Sequence, residues 1–261
     1  MPTPSPHLPH RIFSWLLHPG RTAAVLRLAF QRGGGAGGVL RKAYRLYRRE
    51  GLAGLRLGVG KVASAAQGDR NDYAEWVRRY GTLDDAGRAQ LHAGLQAFAL
   101  RPLISVVLPV FNPPLAFLEQ AIASVRAQIY PYWELCIADD ASTDPGVRAL
   151  LERHRSQDSR IRIVYREHNG HIAASTNSAL ALASGEFVAL FDHDDLLAEH
   201  ALFWIVEAIN RQPDAGLIYT DEDKIDAANR RFDPNFKPEF NVELLLAQNM
   251  VCHLGVYRSA L

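Results

Sequence analysis

The sequence predicts an α/β fold: a mainly parallel sheet with helices on both faces, preceded by a helical N-terminal extension. Three observations carry that expectation. From Leu103 onward, apolar runs of strand length alternate with segments of helical period; the runs are apolar at consecutive positions; and the first hundred residues show no such alternation. A strand that is apolar on both faces needs cover on both, and the helices between strands supply it.

Composition sets the limits. At 261 residues, 48% hydrophobic and 22% charged, the chain can bury a sizeable core and still carry an appendage. Cys136 and Cys252 lie far apart inside apolar segments, which argues against a disulfide framework or zinc site and for buried thiols in a reducing compartment. No apolar run reaches about 18 residues, and the N-terminus lacks the apolar core and cleavage site of a signal peptide. The expected compartment is the cytoplasm.

A net charge of +1 hides an asymmetry. Residues 1–61 hold eleven Lys or Arg against Glu50 alone, and acids outnumber bases in the rest. The expected division is a basic arm over 1–68, a helical segment over 69–101 and the α/β domain over 102–261. In the arm, Val39, Leu40, Ala43, Leu46 and Tyr47 recur at helical spacing among basic residues. That pattern suits an anionic membrane surface, at about 1 kcal/mol per cation, or a helix that packs on its neighbour. No nucleic-acid recognition motif accompanies the charge. Next, Asp84 or Asp85 can cap a helix carrying Leu91, Leu95 and Phe98, and Arg101-Pro102 marks the boundary.

The elements of the α/β region follow in order. Ile104 to Val110 is the first strand, and Leu115, Leu118, Ile122 and Val125 follow at helical spacing. Glu134 to Ala138 precedes a helix near Val147 to His154, and Ile161 to Tyr165 precedes one near Ala173 to Ala183. Glu186 to Phe191 precedes a helix near Glu199 to Asn210, and Gly216 to Thr220 follows. Ligands of such sheets bind outside the carboxyl ends of the strands. Those ends carry FNPP, Asp139-Asp140 to Asp144, His168-Asn169-Gly170-His171, Asp192-His193-Asp194-Asp195 and Asp221-Glu222-Asp223. Acids so gathered repel one another and resist desolvation unless something positive joins them. An extended backbone puts Asp192 and Asp194 on one side and His193 on the other, a spacing that can hold a hard divalent cation completed by phosphate oxygens or cap the next helix.

ISVVLPVFNPP, ASVRAQIYPYWELCIADDASTD and EHNGHIAASTNSALALASGEFVALFDHDD resemble the nucleotide-sugar-binding half of family-two glycosyltransferases of the GT-A, Rossmann-like fold. YTDEDKID, RRFDPNFKPEFN and LLLAQNMVCHLGVYR resemble the bacterial branch that builds surface polysaccharides such as O-antigen. The resemblance starts near Pro102 and leaves residues 1–101 outside.

It implies a donor linked to UDP, dTDP or GDP and a glycan or lipid-linked glycan acceptor. It also implies Mn2+ or Mg2+ and inversion at the anomeric carbon, while the basic arm adds the expectation of work at the inner face of the plasma membrane. Pro109, Val110, Phe111 and Asn112 fall where the family lines the base and ribose. Asp140 matches the acid that accepts from the imino N–H of uracil or thymine. Asn169, Gly170, Ala174 and Asn177 match the segment bordering the donor, with Thr176 where many relatives carry a basic residue. Asp192 and Asp194 match the metal-binding D-x-D, with Asp192 also reaching the donor, and Asp195 supports the loop. A late histidine is a third ligand in some members, which makes His253 a candidate; His171 and His193 stay open between ligand and structural readings.

The family's general base belongs to a later E-D or D-D motif, expected beyond Leu261, with Asp221 and Asp223 as candidates within the chain. The alternative is a truncated, non-catalytic binder of nucleotide sugars. A dehalogenase-type phosphatase is excluded because its D-x-D follows the first core strand, and a dinucleotide oxidoreductase because FNPPLAF holds no G-x-G-x-x-G.

Overall fold

The computed structural model describes residues 73–226 and 228–260, together with Arg48. The basic arm, Arg48 apart, lies outside the described residues. Contacts divide the chain into Met1–Glu75 and Trp76–Leu261, and the second unit is described below.

A helical turn, Val77–Gly81, leads to α1, Asp85–Gly94, capped by the Asp84 side chain, which accepts from the Gly87 N–H at 2.7 Å. The remaining elements are β1 Ile104–Val110, α2 Leu115–Arg126, β2 Trp133–Asp139, α3 Pro145–Gln157, β3 Ile161–Tyr165, α4 His171–Leu180, β4 Phe187–Leu190 and α5 Ala201–Arg211. They are followed by β5 Leu217–Tyr219, β6 Glu222–Ile225, β7 Arg231–Asn235, α6 Val242–Ala247 and β8 Gly255–Arg258.

Six strands form one sheet in the order β3-β2-β1-β4-β8-β5, and β6 and β7 form a separate antiparallel hairpin. β1, β2, β3 and β4 pair in parallel, so the mainly parallel expectation holds. β8 is the exception: it enters between β4 and β5 and runs antiparallel to both. β8 thereby separates β5 from β4 in the sheet.

Alternation along β1 sorts the core into two layers. Ile104, Val106, Leu108 and Val110 face one side with Leu118 and Ile122 of α2, Val147 and Leu151 of α3, and Leu202, Ile205 and Ile209 of α5. Val107 faces the other with Cys136, Ala138, Val188 and Ala179 of α4. Each fully buried Ile or Leu contributes about 1.5–3 kcal/mol. Burial also pushes the Cys136 thiol up to about 12, which leaves it protonated and inert.

A buried polar bridge fixes the entry of β4. Glu134 accepts from the Ser105 hydroxyl at 2.7 Å and from the Ser184 N–H at 2.6 Å, and the Gly185 N–H donates to Ser105 Oγ at 2.9 Å. Position 185 has no room for a side chain, because a Cβ would lie 2.5 Å from the Leu103 carbonyl oxygen. Burial alone would raise the Glu134 pKa, but hydrogen bonds from Ser184, Ser105 and Arg162 outweigh it and hold the carboxyl below its usual range.

Candidate active site

The antiparallel register of β4 and β8 builds the centre of the site. Leu190 pairs with Gly255, so two residues further along one strand and two back along the other bring Asp192 opposite His253. His253 Nε2 lies 3.1 Å from Asp192 Oδ2 and 3.7 Å from Asp195 Oδ2. On the other side of the ring, Glu222 Oε2 is 3.2 Å from Nδ1 and accepts the His253 backbone N–H at 2.7 Å. Glu222 is itself steadied by Asn235 Nδ2 at 2.8 Å.

Lys237 lies beneath this group with its side chain only 3% exposed, 3.8 Å from Glu222 Oε2, and donates to the Cys252 carbonyl. Burial lowers its pKa, against the opposing pull of Glu222. Burial works against protonation of His253 too, but Asp195, Glu222 and Asp192 outweigh it and raise that pKa. Asp195 is raised by burial first, then by Asp192, Asp194 and Glu222, with only His253 opposing. Its Oδ2 is buried and has no hydrogen-bond partner.

The residues fit a divalent cation. One imidazole nitrogen and two carboxylate oxygens lie within 4.8 Å of one another, a donor set suited to Mn2+ and, less so, to Mg2+. The orphaned Asp195 oxygen is a group that a cation would satisfy. A ligating histidine ordinarily gives its second nitrogen to a carboxylate, the part Glu222 plays here.

That arrangement differs from the expected pair. Beyond Phe191, whose N–H still bonds to the Val107 carbonyl, the backbone turns, and the Asp195 N–H reaches the Asp192 carbonyl at 3.3 Å. The extended geometry that placed Asp194 beside Asp192 is thereby corrected: the turn swings Asp195 inward, and Asp194, exposed, is not part of the three-residue group. His253 is in that group.

At the ends of β1 to β3 the expected residues meet in a different way. Asp140 is 2% exposed and accepts from Arg166 Nε at 2.6 Å and from the Gly170 N–H at 3.0 Å. It therefore completes an internal clamp. Arg166 continues to the Ala174 carbonyl at 3.1 Å and to Ser178 Oγ, so its guanidinium runs along α4 past Thr176. A Cβ at Gly170 would lie 2.5 Å from Arg166 Nη2 and 2.9 Å from the Ala174 methyl.

Asn112, in the left-handed region at φ 44°, accepts the Thr143 N–H at 2.8 Å and ties the first loop to the second. Asn169 Oδ1 accepts the His171 N–H at 3.1 Å. Phe111 and Asn177 are exposed and Pro109 is partly so. Val110 is the exception, because its side chain lies in the core and only its carbonyl, which accepts the Asp140 N–H at 2.8 Å, faces this end.

Of the candidate bases, Asp221 accepts the Lys237 N–H at 2.7 Å and Asp223 is paired with Arg231 at 2.6 Å. The residues missed in the sequence are Arg166, Glu222 as an orienting group, Lys237 and Asp195 as a cluster member. Nothing local signalled them, since they depend on contacts across long stretches of chain.

Glycosyl transferase family 2 is the family whose model matches this chain, over residues 105–260. The chain is 48% identical over 189 residues to the uncharacterized protein y4gI of Sinorhizobium fredii, covering 72% of this chain and 21% of that protein. It is 35% identical over 222 residues to the O-antigen biosynthesis protein RfbC of Myxococcus xanthus, covering 85% of this chain and 17% of that one. The chain thus spans about a fifth of the length of these curated relatives. Among solved structures, S. aureus TarS 1-349 in complex with UDP-GlcNAc is similar at TM-score 0.49 and 23% identity, over 60% of this chain and 46% of that one.

Proposed function

The chain belongs to glycosyl transferase family 2, and on that premise we propose that it takes part in metal-dependent, inverting transfer of a sugar from a nucleoside diphosphate to a hydroxyl of a growing bacterial surface glycan. The observation that carries the reading is the meeting of Asp192, Asp195 and His253 at the carboxyl end of β4, inside the matched region. The name of the Myxococcus relative, an O-antigen biosynthesis protein, supports the surface-glycan half of the proposal.

Asp192, Asp195 and His253 would hold the cation, Mn2+ or Mg2+. Bound there, it would offset the charge that grows on the leaving diphosphate. Glu222 fixes the His253 ring so that Nε2 faces the two aspartates. Lys237 offsets part of the acid charge from below. We place the UDP, dTDP or GDP moiety over the loops after β1 to β3. There Phe111 offers an exposed aromatic face, Asn169 and Asn177 border the donor, and Asp140 shapes the floor by holding Gly170 and Arg166.

Neither Asp221 nor Asp223 is assigned the base, since each already accepts a hydrogen bond from its own hairpin region. Among the described residues, no helix is long and apolar enough to cross a membrane. We assign contact with a lipid-linked acceptor at the inner membrane face to the basic arm.

Calorimetric titration of UDP, dTDP and GDP with and without Mn2+ tests the site. We expect Mn2+ to tighten nucleotide binding, and Asp192→Asn or His253→Ala to abolish that gain while sparing metal-free binding. An undiminished gain in both variants would sink the assignment.

A further inference from the structure

The β6–β7 hairpin has two different duties. Glu222 and Asp223 are neighbours at the start of β6, where the register with β7 shifts, and each takes its own partner. Glu222 holds His253. Asp223, with its side chain 12% exposed, accepts from Arg231 Nε at 2.6 Å. Arg231 Nη1 in turn donates to the Gly81 carbonyl at 3.0 Å. A Cβ at Gly81 would lie 2.6 Å from that same Nη1 and push it off the carbonyl. Nearby, Phe236 meets Trp76 edge to face, with ring centroids 5.1 Å apart.

The same stretch of chain also grips the segment that follows Asp195. Arg88 in α1 grips Glu199 with Nε to Oε2 at 2.9 Å and Nη2 to Oε1 at 2.9 Å. Glu199 ends the loop that begins with Asp192 and Asp195. Trp76, Gly81 and Arg88 all precede residue 105, where the match to the family begins.

We infer that Arg231 is a positioning residue for the cation site: by tying Asp223 to the Gly81 carbonyl it anchors the hairpin to the chain ahead of the family region, and so aims Glu222 and His253 at Asp192 and Asp195. Arg88 does the same, more weakly, for the aspartate loop. The inference rests on the cation reading above. A group that hydrogen-bonds a ligand directly, as Glu222 does, is typically worth about 10- to 100-fold in metal affinity, and Arg231, one contact further out, acts at the lower end of that range.

The test uses the full 261-residue chain, with Mn2+ alone as the probe, and two readouts: Mn2+ affinity by calorimetry, and amide hydrogen exchange in EDTA. Arg231→Met should weaken Mn2+ binding about tenfold. It should also speed exchange in β6, β7 and around His253 while leaving β1 to β3 unchanged. Arg231→Lys, which keeps the charge beside Asp223, should recover part of both. Should the Met variant not fold, Asp223→Asn serves instead, with a smaller change in the same direction. Wild-type binding of Mn2+ that Arg231→Met leaves within twofold would overturn the inference alone. So would faster exchange spread evenly over the whole sheet, the mark of lost stability. A wild-type chain that binds no Mn2+ would overturn the cation reading and the inference with it.

Discussion

Two carboxylates on the same rim of the sheet are held in opposite ways. Asp140 is 2% exposed and engaged from within the chain, by the Arg166 guanidinium and the Gly170 N–H. Asp195 hides an oxygen from water too, but that oxygen has no hydrogen bond. Burial and three neighbouring acids work against its charge, with only His253 in its favour. A buried charge is tolerable when paired and costly when not. The Asp140 end is complete without a ligand, and on the proposed reading a cation would complete the Asp195 end. On that reading a single rim carries a scaffold at β2 and a receptor at β4.

The severest way to break the comparison is to take the cation away from the scaffold. Arg166→Met leaves the Asp140 carboxylate buried beside an apolar chain and removes the bonds to Ala174 and Ser178. Removing one partner of a buried pair costs about 3–5 kcal/mol. Urea unfolding should show a loss in that range, independent of Mn2+. A loss under about 1 kcal/mol would mean that Asp140 is compensated by Gly170 and solvent, and that the two ends differ less than the geometry says.

The receptor end should respond to a ligand instead. Mn2+ at a hundred times its dissociation constant should stabilise the wild-type chain by about 2.7 kcal/mol through mass action. Asp195→Asn should remove most of that gain, and Arg166→Met should keep it on a lower baseline. Thermal unfolding with and without Mn2+ measures both. Equal gains in wild type and Asp195→Asn would deny Asp195 its place as a ligand.

Protons sharpen the contrast with a smaller effect. Burial alone would lower the His253 pKa, but Asp195, Glu222 and Asp192 together raise it above the usual 6.5. A raised folded pKa contributes stability that is fully present below the unfolded value and is lost as pH rises through the folded one. In EDTA the urea midpoint should therefore fall between pH 6 and pH 8.5, and His253→Gln should flatten that slope. Glu134 in the core works the other way. Burial alone would raise its pKa, but its hydrogen bonds lower it, so its contribution is present above the unfolded value and lost as pH falls through the folded one. Mn2+ should cancel the alkaline fall, since a metal needs the deprotonated imidazole.

The same contrast explains what could be read from the sequence. Strands β1 and β4 were legible as consecutive apolar runs, β2 and β3 as mostly apolar runs interrupted by Glu134 and Arg162, and the helices from their period, as with Leu118, Ile122 and Val125 in α2. Both are local signals. β8 was legible as a strand but not as the antiparallel insert between β4 and β5, because no local pattern encodes a partner. Asp140 and Asp192 stood out as acids at strand ends, yet Arg166, 26 positions from Asp140, gave no hint that it would neutralise one of them. The hold of Asn112 on Thr143 exists only where two loops meet. The burial of Lys237 beside Glu222 likewise depends on distant parts of the chain coming together.

The smallest expected effect concerns the aspartate that spacing favoured. D-x-D in an extended chain makes Asp192 and Asp194 a pair, but the turn after Phe191 brings Asp195 to the cluster and leaves Asp194 exposed. Asp194 still acts at a distance, since its charge raises the Asp195 pKa. Solvent screening keeps such a term small for an exposed group. Asp194→Asn should therefore change Mn2+ affinity by no more than about twofold, or about 0.4 kcal/mol. Asp195→Asn, which removes a ligand oxygen's charge, should weaken it far more. Calorimetric titration of Mn2+ into the two variants, side by side, decides between spacing and geometry. If Asp194→Asn loses the metal and Asp195→Asn keeps it, the chain must straighten after Phe191 when the cation arrives, and the contrast between a finished scaffold and an open receptor would then need a moving loop.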